Sequence, residues 1–172
     1  MTVMDLSLQS FPYAAVFAVL AAIACYRTVV AQSRGQWIKR WRLSTAPVFG
    51  SLAAVTLLYK ASLATPCLAA WSVVVMGGFA IGAISGRSIR LQVDLTWRLV
   101  RSRWGFDSAL AALVILISSF SAAAFGLLNL TILEWGCVAA IAAGFCAGLL
   151  GGRAWMVIKK ALYVANSNQA TP

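Results

Sequence analysis

The chain has 172 residues, of which 62% are hydrophobic and 10% are charged. A typical soluble domain is about 45–50% apolar and about 25% charged, so these proportions exclude an ordinary soluble globular protein. The mean hydropathy of +0.86 indicates that lipid is the main solvent of the chain. The net charge of +10 comes from 14 Lys and Arg against 4 Asp and Glu, and the absence of His removes His-based catalysis and metal binding.

Five stretches of the chain are apolar and close to the roughly 20 residues that a helix needs to cross a bilayer. In chain order they are residues 11–30, 46–63, 66–85, 108–128 and 132–151. Each is predicted to be helical, because a helix satisfies the backbone hydrogen bonds of an isolated segment in lipid. The sequence therefore predicts an all-α integral membrane protein, a single membrane domain with a bundle of five transmembrane helices. No Lys or Arg precedes the first span, so we expect it to remain in the mature protein.

The positive charges indicate how the chain is oriented, since Lys and Arg favour the cytoplasmic side of a membrane. Twelve of the 14 basic residues fall in the loop after the first span, in the connection 87–107 or in the tail 153–172. Arg27, near the end of the first span, lies on the same side, and only Lys60 lies opposite. The sequence thus predicts a multi-pass protein of a bacterial inner membrane, with the N terminus outside and the C terminus in the cytoplasm.

The basic loop after the first span and the connection 87–107 contain four Trp residues, Trp37, Trp41, Trp97 and Trp104, a combination that also occurs in nucleic-acid-binding proteins. Basic and aromatic residues beside spans are the ordinary orientation signal and aromatic belt of membrane proteins, so we predict no nucleic-acid partner. We expect the charges to contact anionic lipid headgroups instead. The expected headgroup contacts are Arg87, Arg90, Arg98, Arg101 and Arg153.

The third and fifth spans end in the same pattern, GFxxGxxxGR, at a constant offset of 66 residues. Both copies cross the bilayer in the same direction, which indicates a parallel internal repeat. Glycines four residues apart lie on one face of a helix and let another backbone approach closely, as in a glycine zipper. The predicted packing residues are Gly78, Gly82, Gly86, Gly144, Gly148 and Gly152. We favour packing of the two helices within one chain; the alternative is that one glycine face binds a second copy.

The cytoplasmic connection 87–107 fits two periods. From Arg90 to Leu99 apolar and polar residues alternate, as in a half-exposed strand, whereas helical spacing gathers Arg residues on one stripe, as in an interfacial helix. Periodicity alone does not decide between them. We favour a small β-hairpin with its turn at residues 94–97, because Asp at a first turn position bonds to the following backbone, and with its exit at Trp104 and Gly105.

A long first span with a basic loop, glycine-spaced third and fifth spans ending in Arg, and a Val-Asp hairpin resemble the CcdC-like membrane proteins of bacteria. The matching residues are Gly82, Gly86, Arg87, Asp94 and Gly105, within residues 11–160. The resemblance implies a five-span inner-membrane protein without a known catalytic site.

Residues able to carry chemistry are few. Cys25, Cys67, Cys137 and Cys146 are widely separated, with no CxxC motif, so we predict no metal site and no cofactor. Cys67 and Cys137 both lie towards the outer side of the predicted membrane domain. If the outer compartment is oxidising, a disulfide between them is one alternative to two free thiols. Ser118, Ser119 and Ser121 form the one polar cluster deep in a span, where serines normally bond to the preceding turn of their helix.

These observations predict a non-enzymatic membrane protein of accessory, assembly or scaffold type, with anionic lipid and a membrane-protein partner or a second copy as its contacts. The alternative is a small transporter or channel that works as an oligomer, which would need a polar seam through the bundle. A lipid-modifying enzyme ranks third, since it would need Asp94, Asp107 or the Arg clusters to converge in one interfacial pocket.

Overall fold

The computed structural model describes residues 11–34, 38–60, 65–89, 91–94, 99–102, 106–127 and 133–167, and the statements below concern these residues. They form five helices, a short 3-10 turn and three short strands. The helices are α1 (Phe11–Ser33), α2 (Thr45–Lys60), α3 (Thr65–Arg87), α4 (Phe106–Leu127) and α5 (Leu133–Ser167). The strands are β1 (Ile38–Lys39), β2 (Leu91–Asp94) and β3 (Leu99–Ser102).

Four of the five helices are long and apolar enough to cross a membrane, at Tyr13–Ser33, Cys67–Arg87, Phe106–Phe125 and Gly136–Tyr163. The fifth, α2, has 16 residues and rises about 24 Å, less than the hydrocarbon thickness of about 30 Å. It begins at Thr45, one residue before the predicted span 46–63, and ends at Lys60, after which residues 61–64 lie outside the described residues. The five-span expectation thus becomes four helices of spanning length and one shorter helix.

Helix α5 is much longer than the span 132–151 that the sequence predicts. Its 35 residues rise about 52 Å, so that the tail, expected to begin at residue 153, is helical as far as Ser167. Ala154, Val157 and Ala161 in this extension are buried at helical spacing. The extension therefore has its own packed face, which explains why the helix does not stop at the membrane boundary.

The connection between α3 and α4 contains two antiparallel strands, the extended alternative of the two that its periodicity allows. Val93 pairs with Val100 and Asp94 with Leu99. β1 adds a third strand on the other edge of β3, through the pair Ile38 and Val100, giving the order β1-β3-β2. Residues 95–97 of the expected turn, and Trp104 and Gly105 at the expected exit, lie outside the described residues. The two-residue β1 was not expected, because it is too short to show an alternation.

The sheet brings several helix ends to the same end of the bundle. β1 follows α1 and precedes α2, whereas β2 and β3 connect α3 to α4, and β2 also contacts α5. The Gln32 side chain near the end of α1 donates a hydrogen bond of 2.9 Å to the Arg42 carbonyl, just before α2. Most of the basic residues flank these connections, so we call this the basic end.

Small side chains dominate the described core. Ala and Cys account for most of its buried positions, and Leu43, Ile115 and Leu150 are the largest fully buried side chains. Helices α1, α2, α4 and α5 pack around this core, whereas α3 packs mainly against α5. Helix α3 is therefore a peripheral helix, and its attachment to α5 decides where it sits.

Candidate functional site

Glycines line the interface between α3 and α5. A Cβ at Gly82 would lie 2.9 Å from Leu149 Cα and closer still to the Leu149 carbonyl oxygen. From the other side, a Cβ at Gly152 would lie 2.8 Å from the Ala83 backbone nitrogen. Real Cβ atoms do not come this close to backbone, so side chains at these positions would force the two helices apart.

The glycines at the two ends of the interface, Gly144 and Gly86, lie against the side chains of Trp71 and Met156. A Cβ at Gly144 would lie 2.9 Å from Cδ1 of Trp71, and a Cβ at Gly86 would lie 2.9 Å from the Met156 Cβ. Gly77, by contrast, has no such neighbour within 4 Å. The six glycines of the two GFxxGxxxGR motifs therefore lie in the α3–α5 interface, while the neighbouring Gly77 does not.

A disulfide joins the beginnings of the same two helices. Cys67 on α3 and Cys137 on α5 are bonded, with their Cα atoms 6.1 Å apart. The sequence did not decide whether this bond forms, because spacing along the chain does not show which helix ends are neighbours. Its position at the N-terminal ends of both helices shows that α3 and α5 run parallel.

The disulfide also shows that the two glycine motifs are staggered. The bonded cysteines are 70 residues apart, whereas the motifs are 66 residues apart. The difference of four residues is about one helical turn. Gly78 is thereby level with Gly148, and their neighbours agree: a Cβ at Gly148 would meet Val75 and Phe79, which bracket Gly78.

The stagger places the two terminal arginines of the motifs at different depths. Arg87 is 20 residues beyond Cys67, about 30 Å along α3, whereas Arg153 is 16 residues beyond Cys137, about 24 Å along α5. With the disulfide at one boundary of a 30 Å hydrocarbon layer, Arg87 reaches the other boundary and Arg153 stays one turn inside it.

Arg153 is accordingly buried and paired within the protein. Its side chain is 7% exposed, its Nη1 lies 2.6 Å from the Asp107 Oδ2, and the same nitrogen donates a hydrogen bond to the Ser108 hydroxyl. Both partners belong to the first turn of α4. This corrects the expectation that Arg153 contacts lipid headgroups, because its guanidinium faces α4 instead. The Asp107 pairing was missed, although both residues were expected at the same membrane face.

The carboxyl end of α3 is bonded to the extension of α5. The Lys160 ammonium donates hydrogen bonds to the Arg87 carbonyl and, at 3.3 Å, to the Ile89 carbonyl. A cation at this position satisfies carbonyls that have no partner within the helix. No sequence pattern indicates this contact, because it depends on α5 continuing past the predicted span 132–151.

Of the other arginines expected at lipid headgroups, Arg87 is the one whose side chain the structure describes. The Arg87 side chain is exposed. Arg90 and Arg98 lie outside the described residues, and Arg101 lies in β3 with its side chain outside them. The basic end therefore offers Arg87 as an exposed cation from the expected set, with the exposed Lys159 on the α5 extension as a further one.

Polar groups inside the described bundle are few. The buried polar residues are Gln32, Ser108, Ser118, Ser119 and Arg153. The Ser119 hydroxyl donates to the Ile115 carbonyl at 2.8 Å, and the Ser121 hydroxyl to the Ser118 carbonyl at 3.0 Å. These serines thus bond to their own helix, and the described residues contain no cluster of three or more His, Cys, Asp or Glu side chains that could hold a metal ion.

Comparison with known proteins finds no matching family model, no matching curated sequence and no matching solved structure. The resemblance to the CcdC-like proteins stays a prediction.

Proposed function

We propose that this chain is a non-enzymatic accessory, assembly or scaffold protein of the bacterial inner membrane. It works by holding a fixed arrangement of helices in the bilayer and by presenting its basic end to anionic lipid or to a membrane-protein partner. The observation that carries the proposal is the α3–α5 pair, which combines backbone contact at glycines with a disulfide at one end and the Lys160 hydrogen bonds at the other. Such a pair favours a rigid surface over a moving part.

The interior of the bundle supports a scaffold over a conduction pathway. Transport of ions or polar solutes normally needs ionisable or polar groups along a route through the membrane. In the described core, Ser119 is bonded within its own helix, and Arg153 is paired with Asp107 at the basic end. The remaining core positions are mainly small apolar side chains, which leave little polar surface for a route.

Two features support the proposed orientation. The basic residues gather at the end of the bundle that carries the sheet, and such residues favour the cytoplasmic side. The Cys67–Cys137 disulfide lies at the opposite end, and disulfides persist in oxidising compartments such as the bacterial periplasm. The proposal therefore places the N terminus outside and the basic end in the cytoplasm.

The shared GFxxGxxxGR pattern supports a parallel internal repeat within the same proposal. The two motif-bearing helices run parallel and meet through their glycine faces. Because of the one-turn stagger, the final arginines of the two copies differ in their surroundings: Arg153 pairs with Asp107, whereas Arg87 is exposed.

The proposal is tested with the full chain purified in a mild detergent. We expect it to retain a protein partner or anionic phospholipid in a fixed ratio, and to lose most of it when Arg27, Arg34, Arg87 and Lys159 are all replaced by Gln. Reconstituted into liposomes, the chain is expected to leave ion and small-solute leakage at the level of protein-free liposomes. Leakage that rises with the chain and falls in a Ser118→Ala, Ser119→Ala double variant would contradict the proposal and favour the oligomeric transporter.

A further inference from the structure

The interface between α3 and α5, which we call the seam, extends to the basic end, where it lies beside an exposed stripe of α5. Gly151, Trp155 and Lys159 are four residues apart and share one helix face. Gly151 faces α3, because a Cβ there would have Phe79 as its neighbour, at 3.7 Å from the ring. The stripe therefore runs along the seam. It has a shallow depression at Gly151, and the larger side chains of Trp155 and Lys159 follow towards the basic end.

The depth of this stripe matches the boundary of the hydrocarbon layer. By the register of the Cys67–Cys137 disulfide, Arg87 is level with Val157, between Trp155 and Lys159. Trp155 is 59% exposed, and Arg87 and Lys159 are also exposed. Trp at this level is typical of the membrane–water interface, and the two cations beside it lie where phosphate groups are found.

The charges around the seam favour an anion. Lys160 donates to the Arg87 carbonyl, which brings the beginning of the α5 extension against the end of α3 and gathers cations from both helices. Asp107, the carboxylate whose side chain the structure describes, is paired with Arg153 and is not shared with this group.

We infer that the basic end of the α3–α5 seam binds one anionic phospholipid, with its phosphate at Arg87 and Lys159 and an acyl chain along Gly151 and Phe79 beside Trp155. The inference rests on the proposed function and assigns its lipid contact to a defined place. It also replaces Arg153, which is buried, by Lys159, which the sequence did not single out.

The test is a lipid titration of the detergent-purified full chain followed by native mass spectrometry, with dioleoyl phosphatidylglycerol as the anionic probe and dioleoyl phosphatidylcholine as the zwitterionic one. The wild-type chain is expected to retain one phosphatidylglycerol in preference to phosphatidylcholine. The Arg87→Gln, Lys159→Gln variant is expected to bind it about 10- to 30-fold more weakly, from the effect of two basic residues near a lipid surface.

The matched control is the Arg27→Gln, Arg34→Gln variant, which removes the same charge from exposed positions on and just after α1. It is expected to bind as the wild type does, because α1 packs against α2 and α4 rather than against α3. A second variant, Gly151→Leu, fills the shallow depression without changing charge and is expected to lose the lipid, whereas Gly77→Leu on the open face of α3 is expected to keep it.

Equal weakening in both charge variants would overturn the inference while leaving the proposed function in place, because lipid would then bind to the basic end as a whole. Equal retention of the two probes by the wild type would overturn it as well. Intact mass under non-reducing conditions checks in each variant that the Cys67–Cys137 bond has formed.

Discussion

Arg153 on α5 is ion-paired with Asp107 on α4, with 2.6 Å between Nη1 and Oδ2, whereas Arg87, which ends the other glycine motif, is exposed. The one-turn stagger of α3 against α5 explains the difference. It places Arg153 about 6 Å nearer than Arg87 to the disulfide end of the two helices. In a helix that spans a membrane, a guanidinium inside the hydrocarbon layer needs a partner.

Replacing Asp107 by Asn is expected to destabilise the protein by about 1–3 kcal/mol. Removing one partner of a fully buried pair costs about 3–5 kcal/mol, and the 52% exposure of Asp107 reduces this through solvent screening. Thermal unfolding in detergent measures the effect. An Asp107→Asn, Arg153→Met double variant is expected to recover much of the loss, and an unchanged Asp107→Asn single variant would contradict the role of the pair.

Lys160 is expected to hold the end of α3 in place. In Lys160→Met the Arg87 and Ile89 carbonyls lose their donor, so amide hydrogens of residues 85–89 are expected to exchange several-fold faster with solvent. Hydrogen exchange read by mass spectrometry reports this. Arg34→Met is the control, since the Arg34 side chain is exposed and follows α1, which packs against α2 and α4. An equal effect in both variants would argue against a specific contact.

The Cys67–Cys137 bond is expected in protein isolated from cells. Non-reducing intact mass should be two mass units below that of the reduced chain, in the wild type and in a Cys25→Ala, Cys146→Ala variant that lacks the free cysteines. Cys67→Ser with Cys137→Ser is expected to cost about 2–4 kcal/mol of stability, because a loop of this length gains conformational freedom in the unfolded chain. A fully reduced wild type would contradict both the bond and the proposed orientation.

Local patterns in the sequence are enough to predict most of the helical architecture. Long apolar runs predict the four helices of spanning length. Glycines at a spacing of four predict the faces through which α3 and α5 pack against each other. Both properties depend on residues close together in the chain, which is why they can be inferred without a structure.

Relationships between distant segments could not be predicted in the same way. Arg87 and Arg153 were both expected at lipid headgroups, since nothing in the alignment of the two motifs reveals the one-turn stagger. The long α5 also differs from expectation, because hydropathy does not register the packed face of Ala154, Val157 and Ala161.

Backbone contact at glycines holds α3 against α5 within one chain, and this contact is tested by comparing Gly82→Ala with Gly77→Ala. Both changes replace Gly by a better helix former on the same helix, worth up to about 1 kcal/mol. A Cβ at Gly82 would overlap Leu149, whereas one at Gly77 meets nothing within 4 Å.

Thermal unfolding of the two variants in the same detergent is the measurement. We predict that Gly77→Ala is as stable as the wild type or more so, and that Gly82→Ala is less stable by about 1–3 kcal/mol. Equal stabilities of the two variants would show that close contact at Gly82 does not hold the two helices together.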